Sequence, residues 1–278
     1  VEDLDLQGKR VLMRVDFNVP LEDGKVANDK RIRAALPTIR YIVGKGGKLV
    51  LMSHLGRPKG SRAFEMSLKP CMAVLSRLLG KEVAFVNDCI GEAVETAANG
   101  LNDGDVLLLE NLRYHKEETD NDSEFAGKLA KLGDMYVNDA FGTAHRAHAS
   151  TEGVTHFFKQ CAAGYLMVKE LDYLGRVMEN PARPFIAILG GAKISGKIDV
   201  ITNLLPKVDK VIIGGGMAYT FFKARGLEIG KSLLEADKVA YAKEILAQAG
   251  DKLVFPVDCM ITDFFDFNAR KIGTLKEV

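Results

Sequence analysis

Little in this chain points to a membrane, a nucleic acid or an oxidising compartment. Across 278 residues the formal net charge is +1, so no global field draws it towards nucleic acid or an anionic lipid surface. No apolar run approaches the length that spans a bilayer. The opening Val1-Glu2-Asp3-Leu4-Asp5 is acidic, where a secretory signal is basic and then apolar. The four cysteines, Cys71, Cys89, Cys161 and Cys259, lie far apart, with no Cys-x-x-Cys pair and no histidine at metal-ligand spacing. That argues against a disulfide framework or a zinc site and for reduced, mostly packed thiols in a cytoplasmic protein. Low-complexity stretches, short repeats and the G-x-G-x-x-G turn of a nucleotide-dependent dehydrogenase are also absent.

What the chain does have is a recurring junction. Arg10–Val15 runs into Asp16-Phe17-Asn18, and Lys48–Met52 into Ser53-His54-Leu55-Gly56-Arg57. Val106–Leu109 runs into Glu110-Asn111-Leu112-Arg113, and Met135–Val137 into a segment ending His145-Arg146. Each is an apolar strand followed at once by polar or cationic groups. In an open parallel sheet, ligands bind outside the carboxyl ends of the strands, so these loops are expected to share one edge. The pattern returns at Phe185–Leu189, before Gly190-Gly191-Ala192-Lys193, and at Val211–Ile213, before Gly214-Gly215-Gly216.

Between the strands lie helical stretches, among them 30–43, which Asp29 can cap and Pro37 should bend, and Leu68–Leu79, 123–132 and Ala236–Ala249. This alternation predicts α/β architecture with mostly parallel sheets covered on both faces. A longer helix, Leu166–Met178, ends in Glu179-Asn180-Pro181-Ala182-Arg183-Pro184, where the domain connection is placed. The organisation expected is a first domain over 1–165, a helix and linker over 166–184, and a second domain over 185–278. About three strands in the second domain are few for such a sheet. With no initial methionine, and Arg270–Val278 reading as the start of a further element, both ends are expected to be cut.

The chemistry of the first edge is that of an anion site. Arg57, Arg113 and Arg146 follow strands, and Arg31 opens a helix whose amino terminus also favours an anion. Arginine's planar fork suits carboxylate and phosphate. Asp16 and Asn18, two apart in an extended segment, face one side and can bond a ligand hydroxyl or balance charge. His54, His145 and His148 fall in the same constellation; His115 and His156 do not and are read as structural. In the second domain, Gly191 to Lys197 spells G-x-x-x-x-G-K, but Ile198 stands where a P-loop needs Ser or Thr, so a P-loop is rejected. A glycine turn remains, with Lys193 and Lys197 four apart on one helix face, and Gly214–Gly216 permits close backbone approach of a ligand.

Arg14–Pro20, Ser53–Pro58, Glu110–His115, Asp139–His148, Gly190–Lys193 and Gly214–Phe221 together make the chain resemble the phosphoglycerate kinase family. The resemblance implies two Rossmann-like three-layer domains joined by a long helix, the second incomplete here. It implies a reversible phosphoryl transfer between 1,3-bisphosphoglycerate with ADP and 3-phosphoglycerate with ATP, with Mg2+ accompanying the nucleotide, in a cytoplasmic monomer of glycolysis. It places the acid at Asp16, Asn18, Arg31, His54, Arg57, Arg113 and Arg146, with Arg14, His145 and His148 completing the basic patch. The nucleotide falls to Gly191, Ala192, Lys193, Lys197, Gly214 and Gly215, and the charge-neutralising roles to Arg31 and Lys193; no metal ligand is expected in this chain. Gly196 departs from the family, and the family's later nucleotide motifs are missing, so weak or absent turnover is the expectation. A non-catalytic anion-binding protein derived from a kinase domain is the alternative.

Overall fold

A computed structural model describes the backbone of residues 1–262, 265–266, 271–272 and 275–277. The chain divides into two compact units, Val1–Leu174 and Gly175–Val278. In the first, β1 (Arg10–Arg14) precedes a small hairpin of β2 (Leu21–Glu22) and β3 (Lys25–Val26). Then come α1 (Lys30–Gly44), β4 (Lys48–Met52), α2 (Lys69–Leu79), β5 (Ala84–Phe85), α3 (Glu92–Asn99) and β6 (Val106–Leu108). α4 (Lys116–Asp120), α5 (Ser123–Ala130), β7 (Met135–Asn138), α6 (Phe141–Ala144) and β8 (Cys161–Ala163) follow, and α7 (Tyr165–Glu179) contains the division between the units.

Six strands pair in the order β5-β6-β4-β1-β7-β8, all parallel. Side chains alternate across this sheet, as the two-residue period demands. Val11, Met13, Leu49 and Leu51 join Ile32, Ile39 and Leu75 from α1 and α2 in one core. Leu12, Val50, Met52 and Tyr136 join Val94, Phe125 and Leu129 from α3 and α5 in the other. Each such side chain, fully buried, contributes roughly 1.5–3 kcal/mol, so register is strongly fixed: a one-residue slip would exchange the two cores. The chain leaves β1 for β4 on one side and β7 for β8 on the other. The order therefore reverses between β1 and β7, the kind of crevice in which ligands bind.

Local signals account for the helix ends. Asp122 accepts from the Phe125 amide at 2.8 Å and starts α5. Gly80, at φ 69°, stops α2. At α1 the carboxylate of Asp29 binds Arg33 Nε at 2.9 Å instead of a helix N–H. Pro37 does not break that helix, which runs on to Gly44; it lies on the exposed face, where a carbonyl left without its helix partner can bond water. α7 starts against two side chains: Tyr165 N donates to Thr38 Oγ1 at 2.9 Å and Met167 N to Asp139 Oδ1 at 3.1 Å.

The second unit contains β9 (Ile186–Gly190), α8 (Ile198–Leu204), β10 (Lys210–Gly214), α9 (Met217–Ala224), α10 (Val239–Ala249) and β11 (Leu253–Val254). The strands form a parallel sheet in the order β11-β10-β9. Val211, Ile213, Met217, Phe221 and Ile245 are buried in its core, while Ile186 and Ile188 of β9 are exposed. β12 (Met260–Thr262) pairs antiparallel with β15 (Leu275–Glu277), and β13 (Phe265–Asp266) with β14 (Lys271–Ile272). Of the further element expected over 270–278, Arg270, Gly273, Thr274 and Val278 lie outside the described residues.

Candidate functional site

Four strand ends of the first unit do meet, and their loops hold one another. Asp16 accepts from Arg31 Nη1 through Oδ2 at 2.6 Å and from the Asn18 amide through Oδ1 at 3.2 Å. Asn18 Oδ1 in turn accepts from the Gly56 amide at 2.9 Å, and Ser53 Oγ from the Phe17 amide at 2.9 Å. The loop after β6 is stitched to the same place. Buried Asn111 bonds Leu55 through both its oxygen and its nitrogen, and Arg113 Nη1 donates to the Gly56 carbonyl at 2.8 Å.

These loops enclose a cavity of about 260 Å³ lined by Asp16, Asn18, Arg31, His54, Arg57, Arg113 and Arg146, with Gly56, Gly142 and Thr143. Its electrostatics call for an anion. Arg113 is nearly buried, and its Nε has no hydrogen-bond partner. Burial, and then Arg14 and Arg146 beside it, push its pKa down from the usual arginine value. An anion in the cavity would relieve the repulsion.

The remaining three basic-patch residues are placed differently. Arg14 is wholly buried behind the cavity and spends its nitrogens on Ser150 Oγ, the Val15 carbonyl and His54 Nδ1. His145 is exposed and accepts from Arg146 Nε at 3.4 Å. His148 lines a neighbouring cavity of about 360 Å³ that shares Arg57, Arg113 and Arg146 with the first and adds Lys59, His115 and Thr119.

His54 is buried with its ring facing Arg14, Arg113, Arg146 and Arg31; burial first, then these charges, hold its pKa far below the ordinary 6.5. His148 is pushed down to about 4, again mainly by burial. Both are therefore neutral in the fold at pH 7. The unfolded chain takes up their protons as pH falls through 6.5 and the native chain does not, so these groups subtract stability below pH 6.5 and add no pH dependence above it. From His54 alone the expected loss between pH 6.5 and 5 is about 2 kcal/mol. Urea unfolding at the two pH values measures it. A His54→Gln chain that loses as much stability as the parent over that interval contradicts the assignment.

In the second unit the glycine loops lie side by side, with Gly190 opposite Gly214 in register. The close approach at Gly215 is to the chain itself. Its φ is +69°, a side chain there would sit 3.0 Å from the backbone of Gly191, and Met217 N donates to the Gly191 carbonyl at 2.8 Å. Lys193 and Lys197 do not share a helix face, because α8 begins only at Ile198. Glu235 Oε2 accepts from the Ile194 and Ser195 amides at 2.5 and 3.0 Å and ties this turn to the rest of the unit.

A profile of the family described as phosphoglycerate kinase matches residues 1–278. The chain is 59% identical over 282 residues to a phosphoglycerate kinase of Chloroherpeton thalassium, covering 100% of this chain and 71% of that one. The chain belongs to the phosphoglycerate kinase family. A Clostridium tetani relative of the same name is 56% identical over 279 residues, covering 99% of this chain and 70% of its own. Among solved structures, the phosphoglycerate kinase of Coxiella burnetii matches with a TM-score of 0.84 at 41% identity, over 99% of this chain and 70% of that one. The enzyme from Pyrococcus horikoshii matches at 0.83 and 34%, over 100% and 70%. The family's fold, an α/β one with mostly parallel sheets, is the one described above, and no helix among the described residues is long and apolar enough to cross a membrane.

Sequence patterns miss three participants around this family's basic loops. His115, read as structural, lines the second cavity and pairs through Nε2 with Asp88 Oδ1 at 2.7 Å. Donor atoms of Asp88, Cys89 and His115 all lie within 4.8 Å of one another, which spacing along the chain could not show. Arg62 Nη2, 3.2 Å from Asp88 Oδ2, and the basic cavity beside His115 set the local charge against a cation there. Glu118 and Ser150, both wholly buried, carry no local signal either: each looks like an ordinary helix or loop residue, and only the fold brings them together behind Arg14.

Proposed function

We propose that the cavity at the carboxyl edge of the first sheet takes 3-phosphoglycerate, or the acid end of 1,3-bisphosphoglycerate, and that the glycine loops of the second unit take ADP or ATP. The observation that carries the reading is the convergence of Arg31, Arg57, Arg113 and Arg146 with His54, Asp16 and Asn18 on one cavity of metabolite size. Guanidinium groups match a phosphate and a carboxylate, and Asp16 and Asn18 match a hydroxyl. Membership of a kinase family supplies the reaction class.

The nucleophile is a carboxylate oxygen attacking a γ-phosphoryl group, or in reverse a phosphate oxygen of ADP attacking an acyl phosphate. Both are ionised at neutral pH, so no general base is required. Catalysis then rests on positioning and on neutralising charge spread over the transferring oxygens; Arg31 and Lys193 are assigned that role. Residues 190–197 and 214–216 contain lysines and glycines but no acid, and Glu235, which reaches the first of these loops, is already bonded to two amides. Mg2+ is accordingly taken as arriving on the nucleotide's phosphates, with its ligands supplied from there. The reading makes this a cytoplasmic, monomeric enzyme.

Calorimetric titration of 3-phosphoglycerate into the 278-residue chain tests the first half. One equivalent is expected to bind, with affinity that falls as salt rises. Arg113→Met is expected to weaken it by roughly 10- to 100-fold, the value of a hydrogen bond to a charged group. Parent and variant binding alike, or no heat from either, defeats the assignment.

A further inference from the structure

Behind the cavity runs a chain of buried polar groups that joins Glu118, Ser150, Arg14 and His54. Glu118 of α4 accepts from Ser150 twice, through Oε1 from the hydroxyl at 2.6 Å and through Oε2 from the amide at 2.9 Å. With its hydrogen committed to Glu118, Ser150 Oγ accepts from Arg14 Nε at 2.8 Å. Arg14 Nη1 donates to the Val15 carbonyl, and Arg14 Nη2 lies 3.1 Å from His54 Nδ1. A guanidinium can only donate. His54 Nδ1 is therefore an acceptor without a proton, and the ring carries its hydrogen on Nε2, the nitrogen that Arg14 does not occupy; His54 is among the residues that line the cavity.

We propose that Arg14, held by Ser150 and Glu118, is a positioning residue that fixes the proton of His54 on Nε2 and so presents a neutral N–H donor to an anion in the cavity. Arg14 acts without touching the ligand. A donor fixed in this way costs no reorganisation when the ligand arrives. The charged groups facing the ring agree with it: Arg14 from β1, Arg31 from α1, Arg57 from its own loop, and Arg113 and Arg146 from the loops after β6 and β7, with Asp16 across the cavity and Glu118 behind Arg14. Four of these arginines press the imidazole to stay uncharged. The part of the inference concerning the ligand rests on the 3-phosphoglycerate reading; the part concerning the proton does not.

Nitrogen-15 spectra of the 278-residue chain with labelled histidine test the proton directly. In the parent, His54 is expected as the Nε2–H form with no titration between pH 8 and 5. The pair Arg14→Met with Glu118→Gln removes both buried charges together, and an amide spectrum checks that it folds. There His54 is expected to mix both neutral forms or to titrate, and 3-phosphoglycerate affinity to fall about tenfold, the ratio that 1.4 kcal/mol represents. Ser150→Ala, which removes only the relay, is expected to shift His54 in the same direction by less. A parent ring protonated on Nδ1, or a ring unchanged in both variants, overturns the proposal. A shifted ring with unchanged ligand affinity overturns the donor's role. Failure of the parent to bind 3-phosphoglycerate, with the ring behaving as stated, removes the ligand assignment alone.

Discussion

Glu118→Gln is expected to cost about 3–5 kcal/mol of folding stability, as loss of one member of a buried charge pair does. The substitution is isosteric, so no cavity opens. What changes is that Arg14, wholly buried, keeps its charge and loses the carboxylate that opposes it through Ser150. Arginine does not escape by deprotonating. Burial raises the Glu118 pKa from the ordinary carboxylate value and the Arg14 charge opposes that rise; because both its oxygens accept hydrogens from Ser150, the ionised form is the one the geometry fits. An amide can serve only one of those two donors. A urea double-mutant cycle with Arg14→Met separates charge from packing. The double variant is expected to regain most of the loss, since replacing both members of a buried pair is often close to neutral. A single Glu118→Gln within about 1 kcal/mol of the parent, the ordinary scale of a net hydrogen bond, would show that the carboxylate does not balance Arg14.

The other large effect concerns rate. Arg31→Ala is expected to lower phosphoryl transfer by about 10²–10³, the usual cost of removing one donor aimed at developing charge, and to leave nucleotide affinity nearly unchanged. Arg31 is about half exposed and bonded to Asp16 at 2.6 Å, an ion pair of a kind that contributes little to stability. Folding is therefore expected to survive the change, and a fall in rate reads on catalysis. A coupled assay gives the rate and a fluorescent ADP analogue the affinity. Equal losses in both would place Arg31 outside the assigned role.

The sheet and the cavity were legible in the sequence because strand, turn and polar cluster follow one another locally. His54, Arg57, Arg113 and Arg146 each stand at such a junction, Arg31 opens the helix after the first of them, and a parallel sheet has only one edge at which those junctions can emerge. What stayed hidden depends on contacts remote along the chain. Nothing local tells whether Arg14, at a strand end like the others, points forwards into the cavity or backwards to Ser150, 136 residues away. Lys193 and Lys197 showed helical spacing, but the helix begins only at Ile198, and Glu235, 41 residues from Ile194, is bonded to the turn before it. His115 looked isolated because Asp88 precedes it by 27 residues. Periodicity reports which face is apolar; it carries no record of which distant side chain spends a donor.

The Glu235 contact also bears on the nucleotide site proposed for the second unit. A turn of this kind ordinarily offers bare amides as a rigid, pre-aimed cradle, but the amides of Ile194 and Ser195 are saturated from within. At the proposed nucleotide site, those two amides are therefore not free for a phosphate, and attraction there is expected to rest more on the ammonium groups of Lys193 and Lys197, flexible point charges whose pull at the surface fades as ionic strength climbs.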